Sequence, residues 1–173
     1  MRVVVEDFDN EPIAEWGETL EDLIADAAIE PIVDAAKVEA ERLKLWRYWR
    51  ERGMNFLVRR EHSEVELRQK LRLRECPADL LEEIIAWFYE RKYLSLERFA
   101  YSYAKNRADL GYGPIKIRYE LSSQHQVSDR DIGLAFEEID WGRARATAER
   151  KIRQTDPVKY RAALYRRGFS YQD

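Results

Sequence analysis

Apolar residues recur every three or four positions through most of the chain after residue 53, which predicts a series of amphipathic helices. The stripes are separated by short segments that contain glycine, proline, serine or aspartate, residue types that end or begin helices. The helices predicted from the longer stripes lie at residues 77–90, 96–108, 128–140 and 141–153.

Three nine-residue segments, 63–71, 113–121 and 156–164, share a second pattern. Each opens with a residue suited to a helix N-cap and continues with Glu or Pro, which is favourable in the first helical turn. A β-branched residue, two apolar residues four positions apart and an arginine then recur in register. These positions are Ser63, Val65, Leu67, Arg68 and Leu71; Gly113, Ile115, Ile117, Arg118 and Leu121; and Asp156, Val158, Tyr160, Arg161 and Leu164.

The spacing of these segments, 50 and then 43 residues, is typical of helical repeats. A helix is predicted before the second and third segments, and another after the first and second. We therefore predict an all-α fold of tandem three-helix repeats in an elongated, curved array, with an acidic N-terminal helical extension. The predicted parts are the extension at 1–53, repeats at 54–95 and 96–140, and a last repeat at 141–173 whose closing helix is missing or truncated.

The N-terminal extension gives weaker signals. Thr19 begins an S/T-x-x-D/E helix start, and Pro31 is expected to interrupt that helix. A second helix is predicted from residue 33 to 52, with Gly53 as its stop. Residues 1–16 are expected to hold a short strand or no ordered element.

The charge of the chain is divided unevenly, although its net value is only −3. Residues 1–41 carry a net charge of −11 and residues 42–173 a net charge of +8. A basic body can meet nucleic acid or an acidic protein surface. We hypothesise that the extension folds against this body and competes with its partner; the alternative is a solubilising appendage.

No apolar run approaches the length needed to cross a bilayer, and the N-terminus does not resemble a signal peptide, so a cytoplasmic protein without a membrane partner is expected. The single cysteine, Cys76, excludes an internal disulfide and is expected to be a small buried apolar residue. We also expect a monomer.

The residues that catalysis or metal binding requires are scarce. His62 and His125 are the only histidines, and their spacing matches no metal motif, so they are expected to face solvent or to cap helices. The turn at residues 110–114 lacks the pattern of a phosphate-binding loop; it predicts a helix stop at Gly111 and a new N-cap at Gly113. We therefore predict no enzymatic activity, no cofactor and no metal.

Basic residues form several clusters that helical repeats could align along one face. Tyr112 is expected either to pack across its turn or to contact a partner. For the cations, the alternative is ordinary surface charge with helical pairs such as Glu64–Arg68 and Glu66–Lys70. The candidate partner contacts are Arg59, Arg60, Arg68, Lys70, Arg72, Arg74, Lys105, Arg107, Tyr112, Lys116, Arg118, Arg161, Arg166 and Arg167.

Four blocks within residues 55–171 form a distinctive set. The first runs from Leu57 to Leu71 and contains Arg59-Arg60-Glu61-His62-Ser63-Glu64. The others are Tyr93-Leu94-Ser95 with Arg98-Phe99-Ala100, Gly111-Tyr112-Gly113-Pro114 with Ile117 and Glu120-Leu121, and Tyr165-Arg166-Arg167-Gly168-Phe169. Together, in this order, the blocks resemble the RecX family, regulators of the RecA recombinase.

The resemblance implies a negative regulator that binds the groove of the RecA filament on single-stranded DNA. Such a protein hinders filament growth and lowers the ATPase, strand-exchange and coprotease activities of RecA, in DNA repair, recombination and the SOS response. Direct binding of single- or double-stranded DNA by a helical protein, and a helical scaffold that binds an acidic protein without DNA, are the alternatives.

Overall fold

The structure is a computed structural model that describes the backbone of residues 20–170 and the side chains of residues 34–170. All regular secondary structure in this range is helical, which confirms the all-α prediction. The helices are α1 (Leu20–Leu57), α2 (Glu64–Arg72), α3 (Ala78–Glu90), α4 (Leu96–Asp109), α5 (Pro114–Tyr119), α6 (Asp129–Glu137), α7 (Trp141–Lys151) and α8 (Pro157–Arg166), and α5 continues into a π-helical segment, Glu120–Gln124.

The chain forms two compact units, residues 1–44 and residues 45–173. In the first unit the structure describes α1 from residue 20 onward, and the side chains of residues 34–41 are exposed. The cap predicted at Thr19 and the element predicted for residues 1–16 lie outside the described residues. The boundaries of the predicted repeats and the contact predicted for the extension stay predictions.

Two interruptions predicted in the N-terminal region are wrong, because α1 continues through both positions. The helical backbone includes residue 31, so the missing N–H of Pro31 does not end it. Gly53 is buried inside α1, where an added Cβ would lie 2.6 Å from Cε2 of Phe88. Gly53 therefore lets α1 pack closely on α3, and this gain offsets the low helix propensity of glycine.

The three predicted helix starts are confirmed as N-caps. The Ser63 hydroxyl accepts a hydrogen bond from the N–H of Glu66 at 3.2 Å, and the Asp156 carboxylate accepts from the N–H groups of Val158 and Lys159. Gly113 caps α5 without a side-chain bond. These bonds satisfy N–H groups that a helix start would otherwise leave unpaired.

The first core lies between the end of α1, α2 and α3, and large apolar side chains fill it. The expected burial of Cys76 is confirmed, and burial raises the pKa of its thiol to about 11. The buried residues of the first core are Trp49, Leu67, Leu71, Cys76, Leu80, Leu81, Ile84, Ile85, Phe88 and Leu94.

The second core is shared by α4 to α8, and many of its residues are alanines. Helix α4 lies at its centre and packs on α6 and α7. Small side chains let helix axes approach closely, so α4 is enclosed without a large aliphatic filling. The buried residues of the second core are Phe99, Ala100, Ala104, Ala108, Ile117, Leu121, Val127, Ile132, Ala135, Ala144, Ala148, Leu164 and Phe169.

Candidate partner-binding surface

Two glycine-containing turns far apart in sequence meet within the second core. The N–H of Gly113 donates to the carbonyl of Arg167 at 2.7 Å, and the N–H of Ile115 donates to the carbonyl of Gly168 at 3.1 Å. A Cβ at Gly113 would collide with the carbonyl of Gly168, and Gly168 itself has φ +92°. Both positions therefore require glycine, and the two turns form one backbone junction.

The predicted left-handed conformation at Gly111 is confirmed, with φ +83°. The N–H of Gly111 donates to the carbonyl of Ala108 at 2.8 Å, and that of Tyr112 donates to the carbonyl of Arg107 at 3.1 Å. This pattern closes the end of α4 and directs the chain into α5.

Tyr112 lies beside this junction and is surrounded by three cations. Its ring centroid is 3.8 Å from Cζ of Arg107, 5.0 Å from Nζ of Lys116 and 5.8 Å from Cζ of Arg167. The tyrosine is half-buried, so it packs across the turn and also leaves part of its surface accessible. We call Arg107, Tyr112, Lys116 and Arg167 the Tyr112 cluster. It places three of the predicted cations and the predicted aromatic residue at one site, although they come from α4, α5 and the end of α8.

A buried carboxylate fixes one side of the Tyr112 cluster. Glu120 is 7% exposed and accepts hydrogen bonds from Nε of Arg107 at 2.9 Å and from the hydroxyl of Tyr103 at 3.1 Å. The pKa of the Tyr103 hydroxyl is raised to about 12, mainly by burial and secondly by the negative charge of Glu120. Glu120 neutralises Arg107, whereas no salt bridge among residues 34–170 involves Lys116 or Arg167.

The repeated arginine of the three helix starts has different surroundings in each copy. Arg68 bonds to Glu64 and bridges to Glu82, so its role is to join α2 to α3. Arg118 donates to Asp129 at 3.0 Å, and Arg161 lies exposed on α8. The three arginines therefore occupy equivalent positions in the repeated segments without sharing one function.

The other basic candidates, most of them in the first predicted repeat, are dispersed. The predicted Glu64–Arg68 pair is confirmed, but the predicted Glu66–Lys70 pair is wrong: Glu66 accepts from Arg60 at 2.9 Å. The ammonium of Lys70 lies 2.7 Å from Nε2 of His62. Arg74 lies over the Phe56 ring and Lys105 over the Tyr101 ring. Both of these side chains are exposed, as are Arg59, Arg72 and Arg166.

The histidines were expected to face solvent or to cap helices. Exposure to solvent is wrong because both are buried, whereas His125 is the C-cap of the π-helical segment. His62 is 2% exposed and His125 is 8% exposed. Nδ1 of His125 lies 3.1 Å from the hydroxyl of Ser63, and its ring packs against Phe99 and Tyr103 with centroids 4.9 Å away. The Ser63–His125 contact links the N-cap of α2 to the second core. No periodicity signals this link, since His125 lies in a short segment between helices.

The described part of the chain offers little for catalysis. Within it, no group of three or more His, Cys, Asp or Glu side chains is placed to hold a metal ion. Burial lowers the pKa of both His62 and His125, and each ring has a structural partner. None of the helices in the described range is long and apolar enough to cross a membrane.

Comparisons with known proteins agree with the helical fold. Residues 50–88 match the family model for the first three-helix domain of RecX. A crystal structure of a regulatory protein RecX superposes with a TM-score of 0.65 at 18% identity, covering 78% of this chain and 73% of the other. At that identity the superposition supports the fold alone.

Sequence relatives are more similar. The regulatory protein RecX of Salmonella paratyphi A is 37% identical over 142 residues, which is 71% of this chain and 85% of that protein. The regulatory protein RecX of Cronobacter sakazakii is 39% identical over 144 residues and covers 71% of this chain and 86% of its own length. The regulatory protein RecX of Pseudomonas fluorescens is 43% identical over 94 residues, 53% of this chain and 60% of that protein. Identity at this level over most of the length of the first two relatives shows that the chain belongs to the RecX family of regulatory proteins.

Proposed function

We propose that this chain is a negative regulator of RecA that binds the RecA filament on single-stranded DNA. Bound there, it hinders filament growth and lowers the ATPase, strand-exchange and coprotease activities of RecA. It acts in the cytoplasm by binding, without catalysis of its own. Membership of a family of regulatory proteins supports the regulatory class, and the resemblance implies RecA as the partner.

The observation that carries a specific contact is the Tyr112 cluster. Its cations are clustered around an aromatic ring and held by a backbone junction, so binding requires little additional ordering. Lys116 and Arg167 carry charge that Glu120 does not neutralise. An acidic surface of the filament, or a phosphate group of its DNA, is the complementary partner.

We expect the protein to inhibit by occupying its binding site, since the described residues contain no catalytic constellation. An inhibitor that works by occupancy is effective on a filament because one bound molecule blocks a step that neighbouring subunits must share. Inhibition is therefore expected well below the ratio of protein to DNA that would coat the DNA.

The test is a DNA-stimulated ATPase assay with purified RecA and increasing amounts of this protein. The charge-reversal variant Lys116→Glu should raise the concentration for half-inhibition by roughly tenfold or more, because it places a carboxylate against an acidic partner. The matched control is Lys159→Glu, which makes the same charge change at an exposed position of α8. It should inhibit like the unchanged protein.

Melting temperature separates binding from folding. Both variants should melt within about 2–4 °C of the unchanged protein, as expected for surface substitutions. Equal inhibition by Lys116→Glu and Lys159→Glu would contradict a role for the Tyr112 cluster. Inhibition that begins only when the DNA is saturated would contradict filament binding and would indicate competition for DNA.

A further inference from the structure

A second group of aromatic and basic side chains lies at the first core, outside the Tyr112 cluster. The rings of Trp87 and Tyr93 are stacked with centroids 5.5 Å apart and an interplanar angle of 30°. Trp46 meets Trp87 edge-on at 5.8 Å. Cζ of Arg50 lies 5.4 Å from the Trp46 ring and 5.5 Å from the Trp87 ring, and Cζ of Arg91 lies 5.9 Å from the Trp87 ring. We call these five residues the Trp87 cluster.

The Trp87 cluster is only partly needed for the core. Trp46 and Trp87 are half-buried and pack against the first core, but Arg91 is exposed and Tyr93 keeps 45% of its surface accessible. The outer member of the aromatic stack is therefore also its most accessible ring.

The cations of the Trp87 cluster have no carboxylate partner among residues 34–170, where neither Arg50 nor Arg91 forms a salt bridge. This differs from Arg68 and Arg107, which are neutralised by glutamates. Unpaired guanidinium groups beside an accessible ring leave both charge and stacking surface free for a ligand.

Hydrogen bonds from a neighbouring arginine hold the turn that carries Tyr93. Lys92 has φ +57°, and the guanidinium of Arg98 donates to the carbonyls of Lys92 and Tyr93 at 3.1 and 3.2 Å. Arg98 is itself paired with Glu61 at 2.7 Å. The Tyr93 ring is therefore positioned before any ligand arrives, which reduces the entropy that binding costs.

We propose that the Trp87 cluster binds single-stranded nucleic acid. A base stacks on Tyr93 and extends the Trp87–Tyr93 stack by one ring, while Arg50 and Arg91 contact flanking phosphates. Stacking on aromatic rings combined with backbone cations is the general chemistry by which proteins hold single strands without reading sequence. A duplex does not offer open base faces, so single strands are preferred. This site is separate from the Tyr112 cluster, and its existence does not depend on a RecA partner.

The test measures binding of fluorescein-labelled oligo-dT and oligo-U to the full chain by anisotropy, in the absence of RecA. Tyr93→Ala should weaken binding of both strands by roughly tenfold or more, because stacking of one base is lost. Tyr93→Phe keeps the ring and should bind like the unchanged protein. Arg91→Ala should lower the slope of log affinity against log salt by about 0.7, as expected for one phosphate contact to a single strand.

Tyr119→Ala is the matched control, since Tyr119 is an exposed tyrosine on α5 that lies outside the Trp87 cluster. It should leave the affinity unchanged, and melting curves should show that each variant is folded. An abasic strand of the same length separates stacking from charge: Tyr93→Ala should leave its affinity nearly unaltered.

Three outcomes would overturn the proposal. These are no measurable binding of either oligonucleotide at about 50 mM salt, equal affinity of Tyr93→Ala and the unchanged protein, and equal losses for normal and abasic strands. If Tyr93→Ala lost filament binding but kept its affinity for free strands, the Trp87 cluster would be a protein contact. Because no RecA is present in the oligonucleotide assay, its failure is distinct from failure of the proposed function.

Discussion

Leucine, isoleucine and aromatic side chains fill the first core, whereas six of the thirteen buried residues of the second core are alanines. The first core is formed by residues within 49–94, which are neighbours in sequence. The second draws on residues from Phe99 to Phe169 and is joined by backbone contacts at Gly113 and Gly168. A small helical core can therefore close in two ways, by filling the space with large side chains or by bringing backbones together.

The two kinds of core tolerate different substitutions. A core filled by side chains loses stability mainly when a large side chain is cut and leaves a cavity. A core closed by backbone approach loses stability when a side chain is added, because a carbonyl or N–H cannot rotate away as a side chain can. The second core should therefore depend on its glycines more strongly than the first.

The largest effect is expected at Gly168. In Gly168→Ala the new Cβ would lie 2.5 Å from the N atom and Cβ of Lys116, at a φ of +92° that alanine rarely adopts. Overpacking and backbone strain together should lower the free energy of unfolding by about 2–4 kcal/mol. Urea denaturation followed by circular dichroism measures this change.

Gly133→Ala is the control for that prediction. Gly133 lies in α6 with open space around its Cβ position, so alanine should stabilise the helix by roughly 0.5–1 kcal/mol. Opposite signs at the two glycines would support closure by backbone approach. A loss at Gly168 no larger than about 1 kcal/mol would contradict it.

A smaller effect is expected at the buried ion pair of the second core. Glu120→Ala leaves the Tyr103 hydroxyl and the Arg107 guanidinium without their acceptor, which should cost about 1–3 kcal/mol of unfolding free energy. Urea denaturation measures this loss of unfolding free energy. The variant also removes the carboxylate that neutralises the Arg107 guanidinium.

The first core offers the matched ion pair. Glu82 accepts from Arg68 on the surface, with 60% of its side chain exposed, and Arg68 keeps Glu64 as a second partner. Glu82→Ala should therefore cause a clearly smaller loss than Glu120→Ala. Equal losses would mean that the two ion pairs do not differ as their burial indicates.

The periodic spacing of apolar residues predicted the helices well, because each stripe depends only on residues that are close together in sequence. The caps at Ser63, Gly113 and Asp156 also follow from residues next to one another. The same local reasoning misread Gly53 as a helix stop, since the reason for glycine there is the ring of Phe88, more than 30 residues away. Local patterns do not indicate which glycine faces a distant side chain.

The candidate site was predicted only in part. The list of cations included Arg107, Lys116 and Arg167, but only the fold shows that they surround Tyr112 and that Glu120 neutralises one of them. The Trp87 cluster is not singled out by the sequence, because aromatic residues on apolar stripes ordinarily pack in a core. A useful signal was present in sequence, since Arg91 and Tyr93 interrupt the end of an apolar helix with a charge and an exposed ring.

The smallest effect is expected where the two cores meet, at the buried histidines. His62 donates from Nδ1 to the Arg60 carbonyl and accepts at Nε2 from Lys70, so protonation of its ring would break the second bond. Burial lowers the pKa of His62 and of His125, and the unfolded chain therefore binds protons more readily below about pH 6.5. The contribution of the two histidines to the free energy of unfolding is fully present above that pH. It is lost as the pH falls through the lowered pKa values, by on the order of 1 kcal/mol between pH 7.5 and 6.

In His125→Gln, which keeps a polar group near Ser63 but cannot titrate, urea denaturation over this range should show a shallower pH dependence. An unaltered slope would mean that His125 does not contribute to the pH dependence of the joined cores.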